Sequence, residues 1–167
     1  GVRTAVQRRL ANARSARHFA RRKSAAAGRR GIRAVKTMSE ACYETDVAII
    51  GAGPVGLFAV FELGMLGLRA HVIDALAAVG GQCQALYPEK PIYDIPGYPS
   101  ILAGDLVTRL HDQAAPFKPA YHLDQRVETL TARADGGWRL GTSKGTQIDC
   151  RAVVIAAGVG AFGPNRP

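Results

Sequence analysis

The sequence predicts an α/β fold: a parallel sheet with helices on both faces, plus a three-stranded antiparallel meander. Three observations carry this. Residues 46–74 run strand, glycine turn, helix, strand, acid. Two later apolar runs, 120–123 and 151–157, read as strands buried on both faces. Between them, three short runs are separated by the turn signals Asp135-Gly136-Gly137 and Lys144-Gly145.

The opening unit is DVAIIGAGPVGLFAVFELGMLGLRAHVID. Val47 to Ile50 are β-branched or small and apolar, as in a strand covered on both sides. Gly51, Gly53 and Gly56 follow at once in a GxGxxG arrangement. Gly51 allows the tight turn out of the strand. Gly53 has no Cβ, so a pyrophosphate can approach the backbone, and Gly56 lets the following helix lie close to the sheet. Pro54 suits the first helical turn, where its missing N–H costs nothing. The free N–H groups and the dipole of that helix then face an anion. Residues 70–73 form a second strand, and Asp74 at its end can accept hydrogen bonds from a ribose diol. The preceding strand, following helix and trailing acid make this a Rossmann dinucleotide-binding unit rather than a chance glycine run. The residues after Asp74 are Ala75, Leu76 and Ala77. With no arginine there, FAD or NAD fits better than a 2′-phosphorylated nucleotide.

The next elements follow in order. Gly80 and Gly81 permit backbone approach to a ligand. Residues 88–99, PEKPIYDIPGYP, contain four prolines and read as a rigid extended loop. Residues 104–115 are helical, with Leu106, Leu110 and Ala114 on one face. Pro116 and Pro119 end that helix, and residues 120–123 are the third parallel strand. The meander comprises 127–133, 138–142 and 146–150. Residues 151–157, RAVVIAA, then return to the buried-strand pattern. The histidines at 18, 71, 111 and 122 are scattered without metal-ligand spacing, so a structural role is expected for each. No metal site is expected.

Charge is unevenly spread. Residues 1–37 hold twelve of the 22 Lys and Arg and none of the 13 Asp and Glu. The rest therefore carries ten basic against thirteen acidic residues, and the basic character belongs to a tail. Three readings of that tail compete: a translated leader with Met38 as the start, an organelle transit peptide, or a nucleic-acid-binding arm. The leader is favoured, because the folded pattern begins just after Met38. The domain expectation is thus a basic leader over 1–38 and one domain over 39–167. The three cysteines form no CxxC, which suits a reducing compartment. No apolar stretch is long enough to span a bilayer.

Beyond the glycine motif, GGQCQALYPEKPIYDIPGYP over 80–99 is far more specific. With it, residues 43–167 resemble the two-dinucleotide-domain flavoprotein reductases, and most closely the ferredoxin–NADP reductases of the thioredoxin-reductase-like type. The resemblance implies an FAD-binding domain, incomplete at its C-terminal end, from an enzyme moving electrons between NADPH and ferredoxin or flavodoxin. It further implies a bacterial cytoplasmic homodimer. The chain alone is then expected to be inactive, because the NADPH site lies outside it. The residues expected at the cofactor are the glycine loop (Gly51, Gly53, Pro54, Gly56) and Gly81, read above from their backbone chemistry, together with those that the resemblance carries over. Asp74 matches the ribose acid, Gln82 and Tyr87 match contacts near the flavin, Val127 matches the residue whose backbone meets adenine, and Phe162 matches a residue near the isoalloxazine. No catalytic side chain is implied. Two departures stand out. Val60 occupies a position where a small residue is usual, which implies slightly looser helix–sheet packing. Asp74 stands where glutamate is common. Cys83 sits where a disulfide reductase has the first cysteine of CxxxxC, but its partner position is Pro88. A thioredoxin reductase, or another flavin-dependent NAD(P)H oxidoreductase, is the nearest alternative. A non-catalytic nucleotide-binding module with a nucleic-acid-binding tail is a third.

Overall fold

The computed structural model describes residues 41–159. The proposed leader, residues 1–38, and Phe162 lie outside them.

Strand β1 (Cys42–Ile50) leads through the glycine turn into helix α1 (Pro54–Met65), and β2 (Ala70–Ile73) follows. A short helix α2 (Gly81–Ala85) follows the second glycine pair. Within the proline-rich segment, β3 (Pro91–Ile92) pairs antiparallel with β4 (Ile101–Leu102). This small hairpin is tied to the start of α3 (Ala103–Ala114), where Ala103 N–H donates to Lys90 O at 3.0 Å and Gly104 N–H to Pro88 O at 2.8 Å. A 3₁₀ turn (Ala115–Phe117) leads to β5 (Ala120–His122). The remaining strands are β6 (Val127–Ala132), β7 (Trp138–Thr142) and β8 (Gln147–Ile155).

All but β3 and β4 form one six-stranded sheet in the order β5-β2-β1-β8-β7-β6. The first four are parallel, and β8-β7-β6 is the antiparallel meander. The sequence suggested two elements over 146–150 and 151–157. They are one nine-residue strand. Between Cys150 and Arg151 there is no turn residue, so the chain runs straight on. The first half pairs with both β7 and β1, and the second half with β1 only. Among the described residues no strand lies along the other edge of residues 151–155, and Ile155 is 73% exposed.

Among the described residues, helices α1 and α3 share one face of the sheet. Val60 and Leu63 of α1, Ala114 at the end of α3 and Phe117 all pack with Val47, Ile49 and Val72 on one face. The other face is covered by the meander, with Leu140, Ile148 and Val127 against Ala48 and Ile73. The reason is chirality. The crossovers β1–α1–β2 and β2–α3–β5 step in the same direction across the sheet, and right-handed crossovers then put both helices on the same side.

Helix–sheet packing is close rather than loose. A Cβ at Gly56 would lie 1.9 Å from the Gly51 carbonyl oxygen, and Val60 is 1% exposed within the core. The residue at position 60 thus fits because Gly56 has already brought the helix down. Further along, Gly64 carries the ring of Phe117, which a Cβ would meet at 2.2 Å.

Polar burial is local. Asp149, 8% exposed, accepts two hydrogen bonds from Arg139 at 2.6 Å each and is flanked by Arg133. The Arg139 guanidinium, before any other cause, holds that carboxyl below the usual carboxylate range.

Candidate cofactor site

The glycine turn after β1 is fixed from three sides. Gly51 N–H donates to Ile73 O at 2.8 Å, and Gly51 adopts φ +110°. A side chain there would meet the Ala156 carbonyl oxygen at 2.3 Å, so only glycine fits. Asp74 closes the third side. Its Oδ2 accepts the Ala52 N–H at 2.6 Å and its Oδ1 accepts the Leu76 N–H at 2.8 Å.

A second glycine loop crosses the first. Gly80 N–H donates to Ala52 O at 2.8 Å. Gly81, with φ +55°, sits so close that a Cβ on it would lie 3.1 Å from the Cα of Gly53. Two backbones without side chains therefore face each other at the N-terminus of α1. That end of the helix has no side-chain cap. Its unpaired N–H groups and dipole make it a site for an anion.

From this crossing a cleft of about 560 Å³ opens across the carboxyl ends of β1, β2 and β8. This is where ligands bind in open α/β sheets. Of the residues expected from sequence, Gly51, Gly53, Pro54, Asp74, Gly81, Gln82, Tyr87 and Val127 line it. Gly56 does not. It lies behind the turn as the packing residue described above. Phe162 lies outside the described residues.

The two ends of the cleft differ. At one end Gln82 from α2 reaches the turn after β8, with its Nε2 3.6 Å from the Cβ position of Gly158. Tyr87 is half-buried there, with the Lys90 ammonium 5.3 Å from its ring centre. Burial first, and the neighbouring Cys83 thiol second, push the Tyr87 phenol up. At the other end Asp74 to Leu76 face Gln125 to Val127. These two segments are stitched together, with Gln125 N–H donating to Asp74 O at 2.9 Å and Asp124 N–H to Leu76 O at 2.8 Å.

Sequence reasoning missed Cys83, Gln125, Arg126 and Gly158 as lining residues. Gly158 had a visible signal, a glycine directly after a buried strand. Gln125 and Arg126 had none. They reach Asp74 only because β5 pairs beside β2.

A second pairing was also invisible. His71 Nδ1 and His122 Nε2 are 3.0 Å apart on the neighbouring strands β2 and β5, and the Tyr43 ring lies 4.9 Å from that of His122. Burial is the main cause holding both imidazoles below the ordinary histidine range, and for His71 the neighbouring His122 adds to it. No third metal-ligating residue joins them among the described residues.

A strand–glycine turn–helix unit, with a cleft over the strand ends and an acid at the second strand, defines a Rossmann-like dinucleotide-binding domain. Residues 44–90 match the FAD binding domain family. Solved structures with this fold include a thioredoxin reductase from Gloeobacter violaceus. Its TM-score is 0.59 at 25% identity, with 75% of this chain and 37% of that chain covered. Another is the thioredoxin reductase of Streptococcus pyogenes, with TM-score 0.61 at 25% identity, covering 77% and 39%. Sequence similarity is more specific. The chain is 66% identical over 125 residues to the ferredoxin–NADP reductase of Paramagnetospirillum magneticum, covering 75% of this chain and 37% of that protein. It is 64% identical over 126 residues to that of Rhodospirillum rubrum, covering 74% and 36%. Both relatives carry the name ferredoxin–NADP reductase, and the chain spans little more than a third of their length.

Proposed function

We propose that this chain is the FAD-binding part of a reductase that moves electrons between NADPH and ferredoxin or flavodoxin. The observation that carries this is the crossing of Gly53 and Gly81 at the start of α1, a backbone cradle that a single Cβ would fill. In the proposed arrangement the pyrophosphate lies in that cradle, against the free N–H groups of α1. Asp74 still has lone pairs beyond those used by Ala52 and Leu76, and these receive the ribose hydroxyls. Val127 turns its side chain into the core and leaves its backbone for the adenine edge. Gln82 and Tyr87 flank the flavin end. When bound, FAD supplies the hydride and single-electron chemistry, and the protein supplies position and electrostatics. Cys83 lines the cleft as a free thiol, with Pro88 at the position where a redox partner would be.

The NADPH site is placed outside this chain, and the full-length enzyme is taken to be a homodimer in the bacterial cytoplasm. In support of that location, no described helix is long and apolar enough to cross a membrane, and Cys42, Cys83 and Cys150 are free. The ferredoxin reading is preferred to a thioredoxin one because relatives at 57–66% identity carry the ferredoxin–NADP name, whereas the thioredoxin reductases share the fold at about 25%.

The test is turnover by the full-length protein. It should purify yellow and oxidise NADPH with electrons passed on to a ferredoxin. Reduction of thioredoxin in place of ferredoxin, or a colourless protein with no flavin, would contradict the proposal.

A further inference from the structure

The end of the cleft beyond Asp74 is walled by a residue that no sequence signal picked out. Arg126 is the one cation among the lining residues, and Asp74 is the one acid. The Arg126 backbone is held on both sides by Ser143: its N–H donates to Ser143 Oγ at 3.0 Å, and its carbonyl accepts the Ser143 N–H at 2.8 Å. Its side chain is 69% exposed, yet it is not left free. Nη2 donates to Glu128 Oε1 at 2.7 Å, two residues further along the chain.

An exposed ion pair of this kind adds little to folding stability. What it does is restrict a side chain with many rotamers to one that lies along the rim of the cleft. A guanidinium held by one edge still offers its flat face. In a dinucleotide site the pyrophosphate sits at the helix N-terminus and the ribose at the acid. The base then lies beyond Asp74, against Gln125, Arg126 and Val127.

We propose that Arg126 is an adenine-binding residue, its guanidinium plane lying on the base while Glu128 holds it in place. This rests on the FAD reading above. Face and edge of the base are then met by consecutive residues, Arg126 through its side chain and Val127 through its backbone. Glu128 has a second effect. It neutralises the one cation at this end and leaves Asp74 unopposed, which disfavours a 2′-phosphate on the ribose despite an arginine close by.

The experiment titrates the full-length apo-protein with FAD and with FMN, which carries the flavin but no adenosine. Arg126→Ala should raise the Kd for FAD roughly two- to ten-fold, the range of a partly exposed cation–ring contact, and leave the Kd for FMN unchanged. Arg126→Lys should lose most of the same affinity, because lysine keeps the charge and lacks the plane. Glu128→Ala should have a smaller effect, and combining it with Arg126→Ala should add nothing further. Unchanged FAD affinity in Arg126→Ala, equal losses for FAD and FMN, or full rescue by lysine would overturn the assignment. A Glu128 effect that persists without Arg126 would overturn the holding role. If the wild-type protein binds no FAD, the reading beneath falls as well; if it binds FAD without regard to Arg126, only this inference falls.

Discussion

The carboxylate of Asp74 accepts the Ala52 N–H at 2.6 Å, so the acid at the end of β2 is bonded to the middle of the glycine turn after β1. With Leu76 N–H on its other oxygen, Asp74 holds the turn as well as facing the cleft. Asp74→Ala should therefore weaken FAD binding about ten- to a hundred-fold, the value of a charge-assisted hydrogen bond to the ribose. It should also lower the Tm of the apo-protein, which a residue serving the ribose alone would not do. Asp74→Asn should not restore the turn fully, because its NH₂ must face one of two N–H donors. Thermal melts with and without FAD check both parts. An unchanged apo Tm in both variants would reduce Asp74 to a ribose ligand.

Gly56 tests the packing. A methyl group there would meet the Gly51 carbonyl oxygen at 1.9 Å, and that neighbour is backbone with no flexible side chain to yield. Gly56→Ala should cost about 1–3 kcal/mol, as overpacking does. Urea unfolding measures it, and a shift of the midpoint at unchanged m is expected. Stability equal to wild type would mean that α1 can lift from the sheet freely.

The histidine pair gives a pH dependence. His71 and His122 are both held below the ordinary histidine range in the folded chain, chiefly by burial. Their unfolded forms take up protons near pH 6.5. The unfolded state thus binds more protons between the lowered folded values and that pH, and stability rises with pH across this window. The contribution is complete above about pH 6.5 and is lost as pH falls through the folded values. Tm should decline on acidification below that point, and His122→Gln should flatten the decline. Equal slopes in variant and wild type would remove the pair from the account.

Most of this fold was legible in the sequence, for a physical reason. α1 starts at Pro54 and β2 spans 70–73 as expected, because Pro54 and Asp74 are local start and stop signals. The glycine crossing at the cleft was legible too, since glycines mark close backbone approach. What could not be read depends on strand pairing between distant residues. His71 meets His122, and Arg126 comes up to Asp74, only through the β2–β5 register. The single strand β8 was divided in two because its apolar pattern changes where β7 stops covering it, and a pattern change looks like a boundary. The side of the sheet that the helices occupy depends on strand order, which no local window contains.

The central claim is that the crossing of the two glycine loops receives the pyrophosphate of FAD, and Gly53→Ala tests it most directly. Gly53 has φ −73°, which alanine adopts freely, and its Cβ would lie 3.9 Å from the Gly81 Cα, an ordinary contact. The apo-protein should fold with an unchanged Tm, while the new methyl group stands in the space that the phosphates need. The measurement is the Kd for FAD of the full-length apo-protein with and without the substitution. The account predicts a loss of about ten-fold or more with no change in apo stability. An FAD affinity equal to that of wild type would contradict it.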